Sequence, residues 1–93
     1  MPQNHKFFSD MDCPVRVTWT NNIKQMFTAT DVQHMKAKGI DLSSYQDVMI
    51  NASVIYSRVA SGSMPPPGSG EAPWSAEWVS TFGCWIKQNC PES

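Results

Sequence analysis

The segment that most constrains the fold is residues 61–73, because glycine and proline dominate it. Gly62 and Gly68 flank a run of three consecutive prolines that begins at Pro65. Proline lacks a backbone donor and glycine favours irregular backbone, so neither a helix nor a strand can continue through this segment. We therefore predict a loop that separates several short apolar segments before residue 61 from one longer apolar segment after residue 73.

Two short helices are predicted before residue 40. The first covers residues 21–27, which carry apolar side chains at the i, i+3 and i+4 spacing of one helix face: Ile23, Met26 and Phe27. The second begins at Thr30 or Asp31, because Thr30 and Gln33 have the spacing of a capping box. Gly39 marks the C-terminal end of this helix.

A longer helix is predicted between Ser43 and about residue 60. Ser43 and Gln46 give its N-terminus a second capping-box spacing. One face carries regularly spaced apolar residues that we assign to the core: Val48, Ala52, Ile55 and Val59. Ile50 and Val54 lie one turn apart on roughly the opposite face, so we predict that they form a surface for a partner.

The last helix is predicted over residues 76–88. Ser75 is a good N-cap, and Glu77 and Lys87 have the charges that suit the two ends of the helix dipole. Its apolar face is broad: Trp78, Val79, Phe82, Trp85 and Ile86. Gly83 lies beside that face and predicts the close approach of another helix.

The chain has 93 residues, which is enough for one domain. Residues 1–19 show no helical period, and we assign them to an extended N-terminal arm on a helical domain of residues 20–93. Hydrophobic residues make up 41% of the chain, and four of them are tryptophans. This composition predicts a compact core rather than a disordered chain.

Charge and hydropathy predict a cytoplasmic protein without nucleic-acid or membrane partners. Seven basic and eight acidic residues are distributed without a run of either sign, whereas a surface that binds nucleic acid needs clustered positive charge. No apolar run approaches the roughly 20 residues that span a bilayer. Residues 1–6 also lack the apolar region of a signal peptide.

The three cysteines, Cys13, Cys84 and Cys90, do not have the spacing of zinc ligands. A reducing compartment would leave all three as thiols, and we take this as the expected state. Cys84 and Cys90 are poorly placed to pair with each other around a helix end. Cys13 can reach either of them if the arm folds back, so a disulfide from Cys13 is the alternative.

Two motifs and their order along the chain resemble the cytochrome c family. The first is Gly-Ser-Met-Pro-Pro at residues 62–66, and the second is Phe-x-x-Trp-Ile at residues 82–86. Where such cytochromes carry Cys-x-x-Cys-His, this chain has Thr-Asp-Val-Gln-His, which ends at His34. The resemblance implies an all-α, cytochrome c-like fold without covalent haem. It also leaves non-covalent haem as an alternative, with His34 and Met64 as axial ligands.

No group of residues with the pattern of a catalytic site is visible in the sequence. We therefore predict a non-catalytic accessory or protein-interaction module that has no cofactor and uses Ile50 and Val54 to bind a protein partner or a second copy. Two alternatives remain open. One is a b-type haem carrier or sensor, and the other is a small enzyme or ligand binder that uses the vacated haem pocket.

Overall fold

A computed structural model describes residues 8, 11–65 and 68–93. The described residues form helices and no strand, which confirms the all-α prediction. In chain order, the elements are a π-helical turn (Trp19–Ile23), a 3-10 turn (Lys24–Met26), α1 (Ala29–Lys36), α2 (Tyr45–Ile50), α3 (Ala52–Ser61) and α4 (Ala76–Lys87). Residues 1–7 and 9–10 of the predicted arm, and Pro66 and Pro67 of the predicted loop, lie outside the described residues.

Helix α1 begins one or two residues earlier than predicted, because its capping box is formed by Thr28 and Asp31 and not by Thr30 and Gln33. The Thr28 hydroxyl accepts a hydrogen bond from the Asp31 backbone N–H at 3.1 Å. The Asp31 carboxylate accepts one from the Thr28 backbone N–H at 3.2 Å. Asp31 thereby satisfies one of the backbone donors that a helix N-terminus leaves open, and its side chain is fixed at the start of α1.

The predicted middle helix is divided into α2 and α3 at Asn51. Ser44 caps α2 by accepting a hydrogen bond from the Asp47 backbone N–H, so this cap also lies one residue from the prediction. The Asn51 side chain donates to the Asp47 carbonyl oxygen at 2.8 Å. An amide side chain that bonds to the preceding turn competes with the regular ladder, which explains the interruption at this residue.

The core lies between α3 and α4. Every residue of the predicted apolar stripe on the middle helix is at most 5% exposed: Val48, Ala52, Ile55 and Val59. On α4, Phe82 and Trp85 are fully buried, and their ring centroids lie 5.4 Å apart. The helical spacing therefore assigned these six residues to the core correctly.

A disulfide joins Cys13 to Cys84, and Cys90 is a buried free thiol. The expectation of three thiols is wrong, because the N-terminal segment folds back over α4 and brings Cys13 to Cys84. Burial raises the pKa of the Cys90 thiol to about 11. Cys90 is therefore a protonated core residue and not a reactive nucleophile at neutral pH.

Residues 15–20 pack against the C-terminal end of the chain. Trp19 and Thr20 donate backbone hydrogen bonds to the carbonyl oxygens of Pro91 and Glu92 at 2.9 and 3.0 Å. The Val17 backbone N–H donates to the Gln88 side chain at 2.8 Å. Val17 and Trp19 are buried, so this part of the predicted arm belongs to the core.

Gly83 allows the close packing that we predicted, and the groups that approach it are side chains, one of them from another helix. A Cβ atom at this position would lie 2.5 Å from the Met11 side chain and 3.1 Å from the Tyr56 ring. Both approaches are closer than van der Waals contact permits. Gly83 therefore accommodates Met11 of the N-terminal segment and Tyr56 of α3.

Candidate functional site

A cleft with a volume of about 570 Å³ lies where the 3-10 turn, α1 and α4 meet the end of the glycine- and proline-rich loop. We call it the main cleft. Its apolar walls come from Met26, Pro65, Ala72, Pro73, Trp74 and Trp78. Its polar side chains are Thr28, Asp31, Glu71 and Ser75. An apolar concave site with a few converging polar groups is the usual form of a small-molecule site.

A hydrogen-bond network connects the two carboxyl groups of the main cleft. The Thr28 hydroxyl donates to Glu71 Oε1 at 2.9 Å. The same hydroxyl accepts from the Asp31 backbone N–H, and Asp31 Oδ2 accepts from the Thr28 backbone N–H. The capping box of α1 thus also holds Glu71, which lies 43 residues after Thr28.

Asp31 is an unusual residue in this network, because it is only 1% exposed. Its Oδ1 atom is buried and has no hydrogen-bond partner within the described part of the chain. Burial raises the pKa of the Asp31 carboxyl group, and the negative charge of Glu71 raises it further. Hydrogen bonds from Thr28 and the charge of His34 act in the opposite direction without cancelling the effect of burial. A buried, perturbed carboxyl group at a cleft is a recognised mark of a functional site.

Trp74 and Trp78 form an aromatic corner on the apolar side of the main cleft. Their ring centroids lie 5.4 Å apart, and the ring planes are nearly perpendicular at 82°. The Trp74 ring also packs against Phe27 and Phe82, at centroid distances of 5.6 and 6.1 Å. Trp78 is 43% exposed, so the prediction that it lies in the buried face of the last helix is wrong. Its position at the first turn of α4 places it at the cleft rim.

Two smaller clefts lie elsewhere on the surface. One, of about 440 Å³, adjoins the main cleft and shares Met26 and Trp78 with it, but its other walls are mainly polar. The other, of about 230 Å³, lies beside the disulfide between Cys13 and Cys84. Neither contains a buried carboxyl group that lacks a partner, so the main cleft is the strongest candidate site.

The two predicted haem ligands differ in burial. Met64 is fully buried in the hydrophobic core, and His34 is half-exposed on α1. Neither residue lines any of the three clefts. Haem binding through these two side chains stays a prediction from the sequence. The cytochrome c-like topology is likewise untested.

Ile50 and Val54 lie on the surface, with exposed fractions of 74% and 47%. Neither residue lines the main cleft. Their proposed function as a contact surface stays a prediction. Among the helices of the described ranges, none is both long and apolar enough to cross a lipid bilayer. The same described ranges contain no group of three or more metal-ligating side chains that could hold a metal ion.

Sequence reasoning missed the carboxyl pair of the main cleft. Thr28 and Asp31 do have the Thr-x-x-Asp spacing of a capping box, which is a signal that could have located the start of α1. No local pattern connects Asp31 to Glu71, because the loop brings Glu71 to the cleft from a distant part of the chain. Of the four tryptophans, Trp19 and Trp85 are buried in the core, and Trp74 and Trp78 line the main cleft.

Comparisons with known proteins give two curated relatives, both named as enzymes. The chain is 35% identical over 89 residues to "Cyclopenase penL" of Penicillium thymicola, which covers 85% of this chain and 12% of the relative. It is 30% identical over 89 residues to "Cyclopenase asqI" of Emericella nidulans, with the same coverage of 85% and 12%. The chain thus spans about an eighth of the length of these relatives. No protein-family model and no solved structure matches the chain.

These relatives contradict the predicted function. We expected a non-catalytic interaction module and not an enzyme, whereas both relatives carry the name of an enzyme. The prediction failed because it relied on the absence of a catalytic motif in the sequence. A chain that corresponds to a small part of an enzyme need not contain such a motif.

Proposed function

We propose that this chain is a helical part of an enzyme of the cyclopenase kind and that its main cleft contacts the substrate of that enzyme. The observation that carries the proposal is the similarity to two cyclopenases over 85% of the chain. In both relatives the matching region is 12% of the length, so most of each enzyme lies outside it. We therefore propose that this chain contributes some of the residues of the substrate site and does not carry out the whole reaction.

The composition of the main cleft supports a role in substrate contact. Its volume of about 570 Å³ lies within the range of small-molecule sites. Apolar walls would exclude water from a bound molecule, and the Trp74 and Trp78 rings offer large, rigid contact surfaces. Asp31 and Glu71 supply hydrogen-bonding groups that would orient it.

Asp31 is the residue of the cleft best suited to hold or move a proton. Its raised pKa keeps the carboxyl group protonated to a higher pH than that of an exposed aspartate. A carboxyl group whose pKa is shifted in this direction is a better donor of a proton or a hydrogen bond than an exposed aspartate at the same pH. Thr28 fixes its position through both halves of the capping box.

A chimeric enzyme tests the proposal. The matching segment of the Penicillium thymicola cyclopenase is replaced by this chain, and cyclopenase turnover is measured. We expect the chimera to retain turnover and the Trp78→Ala change to reduce kcat/KM by about tenfold or more, through loss of ring contact. A Gln33→Ala change on the exposed side of α1 is the matched control and should leave turnover unaltered.

Two results would contradict the proposal. The first is a chimera that folds, by circular dichroism and size-exclusion chromatography, and yet has no turnover. The second is a Trp78→Ala chimera as active as its parent, which would place the substrate contact outside the main cleft.

A further inference from the structure

The charged side chains that line the main cleft are all acidic. Its titratable side chains are Asp31 and Glu71, and no lysine, arginine or histidine lines it. The His34 side chain acts on Asp31 from α1 without lining the cleft. A cleft that is lined by carboxyl groups and no cation keeps a negative potential, because its low-dielectric apolar walls screen charge less than water does.

Within the described residues, the negative charge around Asp31 is only partly offset, by hydrogen bonds from Thr28 and by the charge of His34. The carboxyl group is buried, one of its oxygens has no hydrogen-bond partner, and the nearby Glu71 charge opposes its ionisation. A positively charged group in the cleft would offset all three effects. A buried charge that lacks a partner in the free protein is a common sign of a partner supplied by a ligand.

The aromatic corner indicates the kind of cation. Trp74 and Trp78 present perpendicular rings with centroids 5.4 Å apart, and tryptophan faces attract organic ammonium groups through their quadrupoles. A bare metal ion is disfavoured, because metal ions need several oxygen, nitrogen or sulfur ligands and the described residues offer no group of three. Apolar walls instead suit a cation that carries alkyl or aromatic substituents.

From these contacts we infer that the main cleft binds an organic ammonium group, with Glu71 and Asp31 as the anionic side and Trp74 and Trp78 as the aromatic side. The inference rests on the proposed function for the use of this cleft as a ligand site, and it names the chemical class of the ligand. Glu71 is the main ion partner, since it is the more exposed of the two carboxyl groups that line the cleft. A cation bound beside Glu71 favours the ionised form of Asp31, which then adds to the negative charge of the site.

A pair of matched probes tests this inference on the full chain. Choline carries a trimethylammonium group, and 3,3-dimethylbutan-1-ol has the same shape with a neutral tert-butyl group in its place. We expect choline to bind about tenfold or more tightly than the alcohol, from the combined charge and ring terms. In two-dimensional NMR spectra, choline should shift the indole N–H signals of Trp74 and Trp78 and leave that of buried Trp85 in place.

Three variants complete the test. Glu71→Gln should weaken choline binding about tenfold and leave binding of the alcohol unaltered, since glutamine still accepts the hydrogen bond from Thr28. Trp78→Leu should weaken choline binding several-fold. Glu92→Gln makes the same charge change outside the cleft and is the control.

Equal affinity for the two probes would overturn the inference, as would undetectable choline binding or a Glu71→Gln variant that binds choline normally. These outcomes are separate from the test of the proposed function, which reads turnover in the chimera. An active chimera with a responsive Trp78, combined with no preference for choline, would retain the substrate cleft and reject the ammonium ligand.

Discussion

Reduction of the disulfide between Cys13 and Cys84 should destabilise the chain strongly. The two cysteines are 71 residues apart, so the bond closes most of the chain into a loop. In the chain-entropy treatment, a loop of this length stabilises the folded state by about 4 kcal/mol at 25 °C. A 93-residue domain has a total free energy of unfolding of roughly 5–14 kcal/mol, at about 0.05–0.15 kcal/mol per residue. Reduction therefore removes a large share of the stability.

Urea denaturation of the same protein with and without dithiothreitol measures this loss. With a denaturant dependence of about 1.5 kcal/mol per M, a loss of about 4 kcal/mol lowers the midpoint by roughly 3 M. Cys90 is already a thiol, so the reductant acts on this disulfide alone. The double variant with Cys13→Ala and Cys84→Ala is the control, and its midpoint should not respond to reductant.

Coincident midpoints for the oxidised and reduced protein would refute this reasoning. They would mean that the hydrogen bonds of Trp19 and Val17 to the C-terminal end hold the N-terminal segment in place without the covalent link. A small shift of well under 1 kcal/mol in the free energy of unfolding would point the same way, because the entropic term depends on loop length and not on contacts.

Three further predictions concern the core, the cleft and the surface. Phe82→Ala should cost about 3–5 kcal/mol of unfolding free energy in urea denaturation, because the ring is fully buried. Ser80→Ala on the exposed side of the same helix should cost under about 0.5 kcal/mol, and similar costs for the two variants would contradict the assigned face. The pKa of Asp31 is raised in the folded state, so the folded protein holds this proton more tightly, and stability should fall as pH rises from the unfolded pKa through the folded pKa. Asp31→Asn keeps the acceptor for the cap and should flatten that fall in pH-dependent denaturation, and an unchanged slope would count against the assignment. Ile50→Lys combined with Val54→Glu should leave the circular dichroism spectrum intact, because both residues are exposed, and loss of helix would place them in the core. Size-exclusion chromatography of the same variant would then show whether any self-association depends on these residues.

The parts of the fold that follow from local spacing could be predicted well. The Ser75 cap and the start of α4 at Ala76 agree with the sequence, since an N-cap acts within three residues of itself. The buried stripe that includes Ile55 also follows from spacing, because helical period alone decides which side chains share a face. The helix boundary at Asn51 was missed, because an asparagine inside a regular apolar pattern gives no strong stop signal.

The sequence by itself determined that this chain is helical, where most of its helices lie and which faces they bury, because these properties depend on residues within a few positions of one another. Only the tertiary structure decided that Cys13 pairs with Cys84, 71 residues away, and that Glu71 meets Thr28 across 43 residues. It also placed Trp78 at a cleft rim instead of in the core. Such contacts depend on how the chain closes its loops, which no local pattern of residues encodes.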